Sequence, residues 1–187
     1  MLSLLPDRNV DVSTYKEHGL LTGQLWPEVH THSIAGGFMM KRFDKLLEQE
    51  VSGYKGKHSE IIIKAPALYK LMTRLLDDPA LPGHLSPLVI ASIAYFILPE
   101  DVIPEEKYGP LGFVDDIFLC AFVADKVRKE AGTDDILIRN WDDKTPVVPL
   151  IQQILEHEEE LIGDKKQVIM DYIGYEQLGT TGDQSPA

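Results

Sequence analysis

The stretch Ala94-Tyr-Phe-Ile-Leu-Pro-Glu-Asp-Val-Ile-Pro-Glu-Glu-Lys-Tyr-Gly-Pro-Leu-Gly-Phe-Val-Asp-Asp-Ile-Phe-Leu119 decides the fold. It runs from the end of one apolar helix, through a polar and proline-containing loop, into the start of another. Before it, Ser86-Pro87 reads as an N-cap followed by proline at the first helical position, which predicts a helix over residues 87–98. Ser92 is its one polar interruption. Leu98-Pro99 ends it, because a proline restricts the residue before it. The second helix is predicted over residues 113–129, with Val114, Ile117, Phe118, Ala121 and Phe122 on its main stripe and Phe113, Leu119 and Val123 extending that stripe round the axis. The two helices read as an antiparallel hairpin. A helix that is apolar all round has to be buried on every side or lie in lipid, so outer helices must cover this pair.

The flanks supply them. Met39, Met40, Phe43, Leu46, Leu47 and Val51 recur at helical spacing, as do Leu68, Leu71, Met72, Leu75 and Leu76. Residues 60–64, with three isoleucines, read as a helical turn kinked at Pro66 rather than a strand, since no partner strands are evident. Thr145-Pro146 opens a helix carrying Leu150, Ile151, Ile154, Leu155, Leu161 and Ile162. Gly163 stops it, and Asp164 caps the next. The expected fold is therefore all-α: a compact multi-helix bundle around a buried antiparallel hairpin. Residues 1–35 read as a weakly structured N-terminal arm, 36–177 as a single helical domain with the hairpin at 85–130, and 178–187 as a disordered tail.

The chain has 187 residues and a net charge of −12, with 44% hydrophobic and 26% charged residues. That is an ordinary globular composition with a surface that repels nucleic-acid phosphates. The longest apolar run, residues 85–98, falls short of the roughly 20 residues that span a bilayer. No signal peptide is evident at the N-terminus. The single cysteine, Cys120, excludes an intrachain disulfide, reads as a buried thiol, and suits a reducing, cytoplasmic setting.

The hairpin stretch resembles the YkvA-like family, a domain of unknown function. Its pattern is a hydrophobic helix with Tyr, Pro-x-Asp-x-Ile-Pro, a short loop, Gly, and Asp-Asp opening a second hydrophobic helix. The matching positions are Tyr95, Pro99, Asp101, Ile103, Pro104, Gly112, Asp115 and Asp116. The resemblance implies the helical hairpin and no reaction. Glu105 stands where many members have Asp, and Glu100 where many have an apolar residue.

Two accounts of the hairpin acids follow. In the preferred one they are structural: Asp101 accepts turn N–H groups, while Asp115 and Asp116 satisfy orphan N–H groups in the first turn of the second helix and face the positive end of its dipole. In the other, Asp101, Asp115 and Asp116 hold Mg²⁺ or Ca²⁺, with Glu105 or Glu100 as a further oxygen ligand. No catalytic or cofactor-binding residue is assigned.

Other groups read as bland. His30 and His32, with His18 nearby, lack a completing acid or cysteine for zinc. Gly36-Gly37 is a joint, since no P-loop lysine follows. Glu156-His-Glu-Glu-Glu160 is a solvated face. Asp125 falls on the apolar stripe and is expected to emerge beside Lys126 and Arg128. The leading functional expectation is a non-enzymatic accessory protein acting through protein contacts. The alternatives are a membrane-peripheral protein using the apolar hairpin, and a divalent-metal-dependent hydrolase using Asp101, Asp115 and Asp116.

Overall fold

The computed structural model describes residues 36–98 and 101–179. The expected arm (1–35), with its histidines, and Pro99 and Glu100 lie outside the described residues. So does most of the expected tail. Among the described residues the fold is all-helical, with no strand. Its helices are α1 (Gly36–Val51), α2 (Ser59–Ile62), α3 (Ala65–Leu76), α4 (Ser86–Ile97), α5 (Glu105–Tyr108), α6 (Val114–Ala131), α7 (Asp135–Asn140), α8 (Val147–Glu156), α9 (Glu158–Leu161), α10 (Lys166–Tyr172) and α11 (Tyr175–Gly179). Leu178 and Gly179, read as tail, belong to α11.

The three isoleucines resolve as the helical turn expected of them: Ile61 and Ile62 are buried in α2, and α3 starts again at Ala65 with Pro66 in its first turn. α3 is amphipathic, burying Leu68, Leu71, Met72 and Leu75. Its outer side holds α1 through Lys70, whose ammonium lies 3.2 Å from Asp44 and 3.1 Å from Glu48. The rings of Phe43 and Tyr69 pack 5.0 Å apart across the same seam.

At the centre is α6. Its residues from Ile117 to Ala121 are fully buried, and it packs against α3, α4, α7 and α8. Cys120 is among them, a buried thiol as expected. The hairpin is antiparallel. Near the end of α4, Tyr95 meets Asp115 in the first turn of α6, and just before α4, His84 meets Glu130 near the end of α6. Asp125, expected to emerge into solvent, is instead buried, and takes its partners from its own helix, Arg128 at 2.7 Å and Lys129 at 2.6 Å.

Four expectations need correction. First, α4 is not enclosed: Ile90 is 54% exposed, and Ile97 and Leu98 are 45% exposed. α3 and α6 cover two sides and α11 touches a third, which leaves an apolar stripe of Ile90, Ala94, Ile97 and Leu98 facing outward. Second, Ser86 is no cap. It is the first helical residue, Leu85 occupies the cap position, and no side chain bonds there. Third, the helix expected from Pro146 to Ile162 breaks at His157 into α8 and α9. Gly163 does stop it, with φ +58, a conformation that suits a residue without Cβ. Fourth, Asp164 sits inside a single 3₁₀ turn and caps nothing, since the residue before α10 is Lys165 and makes no side-chain cap bond.

Candidate metal centre

The mouth of the hairpin is built by three short pieces of backbone. α4 ends at Ile97, and Leu98 leaves it in an extended conformation (φ −77, ψ 130), as a residue before proline must. Pro104, also extended, launches the single turn of α5, which puts Glu105 in its first position. A 3₁₀ turn, Gly109–Phe113, then leads into α6, whose first turn carries Asp115 and Asp116. Close approach fixes the spacing. A Cβ on Gly112 would lie 2.6 Å from the Glu105 Cα and 2.7 Å from its N, so only glycine lets α5 press this near.

These pieces bring one carboxylate oxygen each of Asp101, Glu105 and Asp116 within 4.8 Å of one another. Asp116 is 1% exposed, and neither of its oxygens meets a hydrogen-bond donor; the same holds for both oxygens of Asp101. The cap expected of Asp115 and Asp116 at the start of α6 is not formed. The residue before α6 is Phe113, and no side chain caps that helix end.

Asp115, expected in the same ion set, has a different task. It is fully buried, and its Oδ2 accepts the Tyr95 O–H at 2.7 Å and the Ile103 N–H at 3.1 Å. The Tyr95 oxygen in turn accepts the Val102 N–H at 3.1 Å. Asp115 thus holds the loop to both helices. Its other oxygen is buried and unpartnered. Tyr95 and Gly112 were present in the quoted motif, but nothing in one sequence says that the phenol reaches Asp115 or that Gly112 touches Glu105.

Electrostatically the site is unbalanced. None of the ion pairs among the described residues includes Asp101, Glu105, Asp115 or Asp116. Burial pushes the Glu105 carboxyl up to about 6 and the Asp115 carboxyl to about 7. Asp116 is pushed well up by burial and then by the neighbouring carboxylates, and Asp101 is raised by burial. A buried carboxylate without a donor has two ways out of its desolvation cost: take a proton or hold a cation. A hard divalent cation with metal–oxygen distances of about 2.1–2.4 Å sets its ligand oxygens at most roughly 4.8 Å apart, and the three oxygens here lie within 4.8 Å of one another. Oxygen-only donors suit Mg²⁺, Mn²⁺ or Ca²⁺.

The segment that forms this mouth can be compared with known proteins. The hairpin matches the DUF1232 family over residues 87–122. That family is described only as a protein of unknown function, in agreement with the YkvA-like resemblance seen in the sequence. The DUF1232 segment contains Tyr95, Asp101, Glu105, Gly112, Asp115 and Asp116, every residue of the candidate centre. An uncharacterized protein, ORF9 of Methanothermobacter thermautotrophicus, is 25% identical over 135 residues, covering 72% of this chain and 92% of that protein. The similarity to ORF9 therefore reaches well beyond the DUF1232 segment. No solved structure matches the chain. None of the described helices is long and apolar enough to cross a membrane.

Proposed function

We propose that this is a non-enzymatic accessory domain that binds a divalent cation, with Asp101, Glu105 and Asp116 as its ligands. The observation that carries the reading is the Asp116 carboxylate. It is buried, has no donor on either oxygen, and lies in ligand range of two further carboxylates. A cation there would join α6 to the loop and α5, stitching the hairpin mouth. A metal-dependent hydrolase would also need a substrate cleft beside the ion. The surface cleft lined by Arg128, Lys129, Gly132, Thr133 and Asp134 opens at the far end of α6.

The test is calorimetric titration of metal-free protein with Mn²⁺ and with Mg²⁺. Saturable one-site binding that weakens at least tenfold in Asp116→Asn and in Asp101→Asn supports the reading. Absence of binding in the wild type ends it.

A second reading, action through protein contacts, is favoured by the outward apolar stripe on α4. It suits a protein surface better than a lipid one, because a net charge of −12 opposes approach to anionic headgroups. Sedimentation velocity over a concentration series reads self-contact through the stripe. Association that Ile90→Glu weakens supports it, and a monomer at every concentration counts against it. A reducing cytoplasm is the setting that the lone buried thiol fits.

A further inference from the structure

We propose that Tyr95 is the positioning residue of the cation site: its hydroxyl, shared between the Asp115 carboxylate and the Val102 N–H, clips the loop that presents Asp101 and Glu105 to Asp116. The inference rests on the cation-binding reading and deepens it.

Three ligands come from two mechanically different sources. Asp116 is anchored in α6, the most buried helix of the domain. Asp101 stands in irregular backbone, and Glu105 in a single helical turn whose own residues bury nothing. A four-residue helix has too few internal hydrogen bonds to hold itself. Something outside it must fix where these carboxylates stand. Between Asp101 and Glu105 the chain is held at two consecutive N–H groups: Val102 donates to Tyr95 Oη and Ile103 donates to Asp115 Oδ2. Both bonds depend on one phenol. Tyr95 O–H donates to the same Asp115 oxygen, so it orients that carboxylate while its own oxygen receives Val102. The ring is locked in turn, 1% exposed and set edge-on to Tyr172 at 5.3 Å. Phenol, carboxylate and two amides form one closed set of bonds on the loop side of the cluster. Misplacing ligands by about an ångström is enough to lose much of a site's strength.

Tyr95→Phe keeps the ring and removes the clip. Its expected signature is selective. Mn²⁺ affinity by calorimetry falls at least fivefold, while the far-ultraviolet spectrum and the cooperativity of metal-free unfolding stay as in the wild type. In metal-free protein, amide exchange of Val102 and Ile103 accelerates while that of Ile117 to Ala121 does not. Asp115→Asn serves as a second variant, since it keeps the side-chain shape and weakens the same bonds; it should give the same pattern. Wild-type affinity in Tyr95→Phe, with binding intact in both proteins, overturns the positioning role alone. No Mn²⁺ binding in the wild type overturns this inference together with the reading beneath it.

Discussion

Glu105 and Gly112 lie so close that the Glu105 backbone occupies the space a side chain at 112 would need, 2.6 Å from the position of a Cβ. The contact is backbone against backbone, so no rotamer change relieves it. Gly112→Ala must displace α5 or the 3₁₀ turn before α6. The expected cost is about 1–3 kcal/mol, as for other overpacked sites, read as a lower urea midpoint with an unchanged slope. Mn²⁺ affinity should fall with it, because Glu105 moves away from Asp116. An unchanged midpoint would show that the approach is looser than described.

The carboxylate cluster sets a pH dependence whose sign is opposite to ordinary acid denaturation. Glu105 and Asp115 bind protons more tightly folded than unfolded, with folded values of about 6 and about 7. Between roughly pH 4 and 7 the native state therefore carries more protons than the unfolded one, and stability contributed by these groups declines as pH rises. Metal-free protein in EDTA should be less stable at pH 7.5 than at pH 5. Saturating Mg²⁺ should remove most of that difference, since the cation prefers the ionised carboxylates. Urea midpoints at the two pH values, with and without Mg²⁺, decide it. Stability that rises steadily from pH 5 to 7.5 in EDTA would refute the buried, uncompensated cluster.

At the turn between α3 and α4 the opposite sign applies. Asp78 accepts both Arg139 Nε (2.7 Å) and Nη2 (2.6 Å), together with Asn140 and the Ala80 N–H. The Arg139 guanidinium holds its carboxyl well below the usual range. This stability is present above the unfolded carboxyl value near 4 and disappears as pH falls. Asp78→Asn should cost about 1.5–3 kcal/mol at pH 7, the range for hydrogen bonds to charged groups, and less at pH 3, where the unfolded carboxyl is protonated but the folded one still ionised. Equal losses at both pH values would contradict the ionic account.

The two sides of α4 should respond differently to truncation. Ile93 is buried and Ile90 is 54% exposed, three residues earlier. Ile93→Ala should cost about 2–5 kcal/mol, as emptying a core site does, and Phe118→Ala on α6 likewise. Ile90→Ala should stay within about 0.5 kcal/mol of wild type. A thermal melt in which Ile90→Ala is as damaging as Ile93→Ala would mean that the stripe is covered.

What the sequence disclosed follows from the range of the forces involved. Helix type and order were legible, because apolar spacing is written locally: α3 and α8 each show it. The hairpin acids were legible as candidates too, since Asp101, Glu105, Asp115 and Asp116 stand out as charges in an apolar setting. Helix ends were less so. Ser86 has the right residue type for a cap, but the helix begins one residue early and uses it as an ordinary first residue. The division of labour among the acids could not be read at all. Asp115 and Asp116 are chain neighbours of one type, yet one meets Tyr95 and Ile103 while the other meets no donor. That difference arises from a phenol twenty residues away.

The family match, residues 87–122, stops partway along α6. About half of its described residues are interior, most of them in α4 and the first two turns of α6. On its own it would leave exposed to water the apolar surface that α3 and α8 cover in the full chain. As an isolated peptide it should aggregate rather than fold, since α3 and α8 provide the faces it lies against. A recurring kernel of this sort constrains its surroundings only through shape. The homology boundary and the folding boundary are then different objects, and any excision of this module has to follow the second.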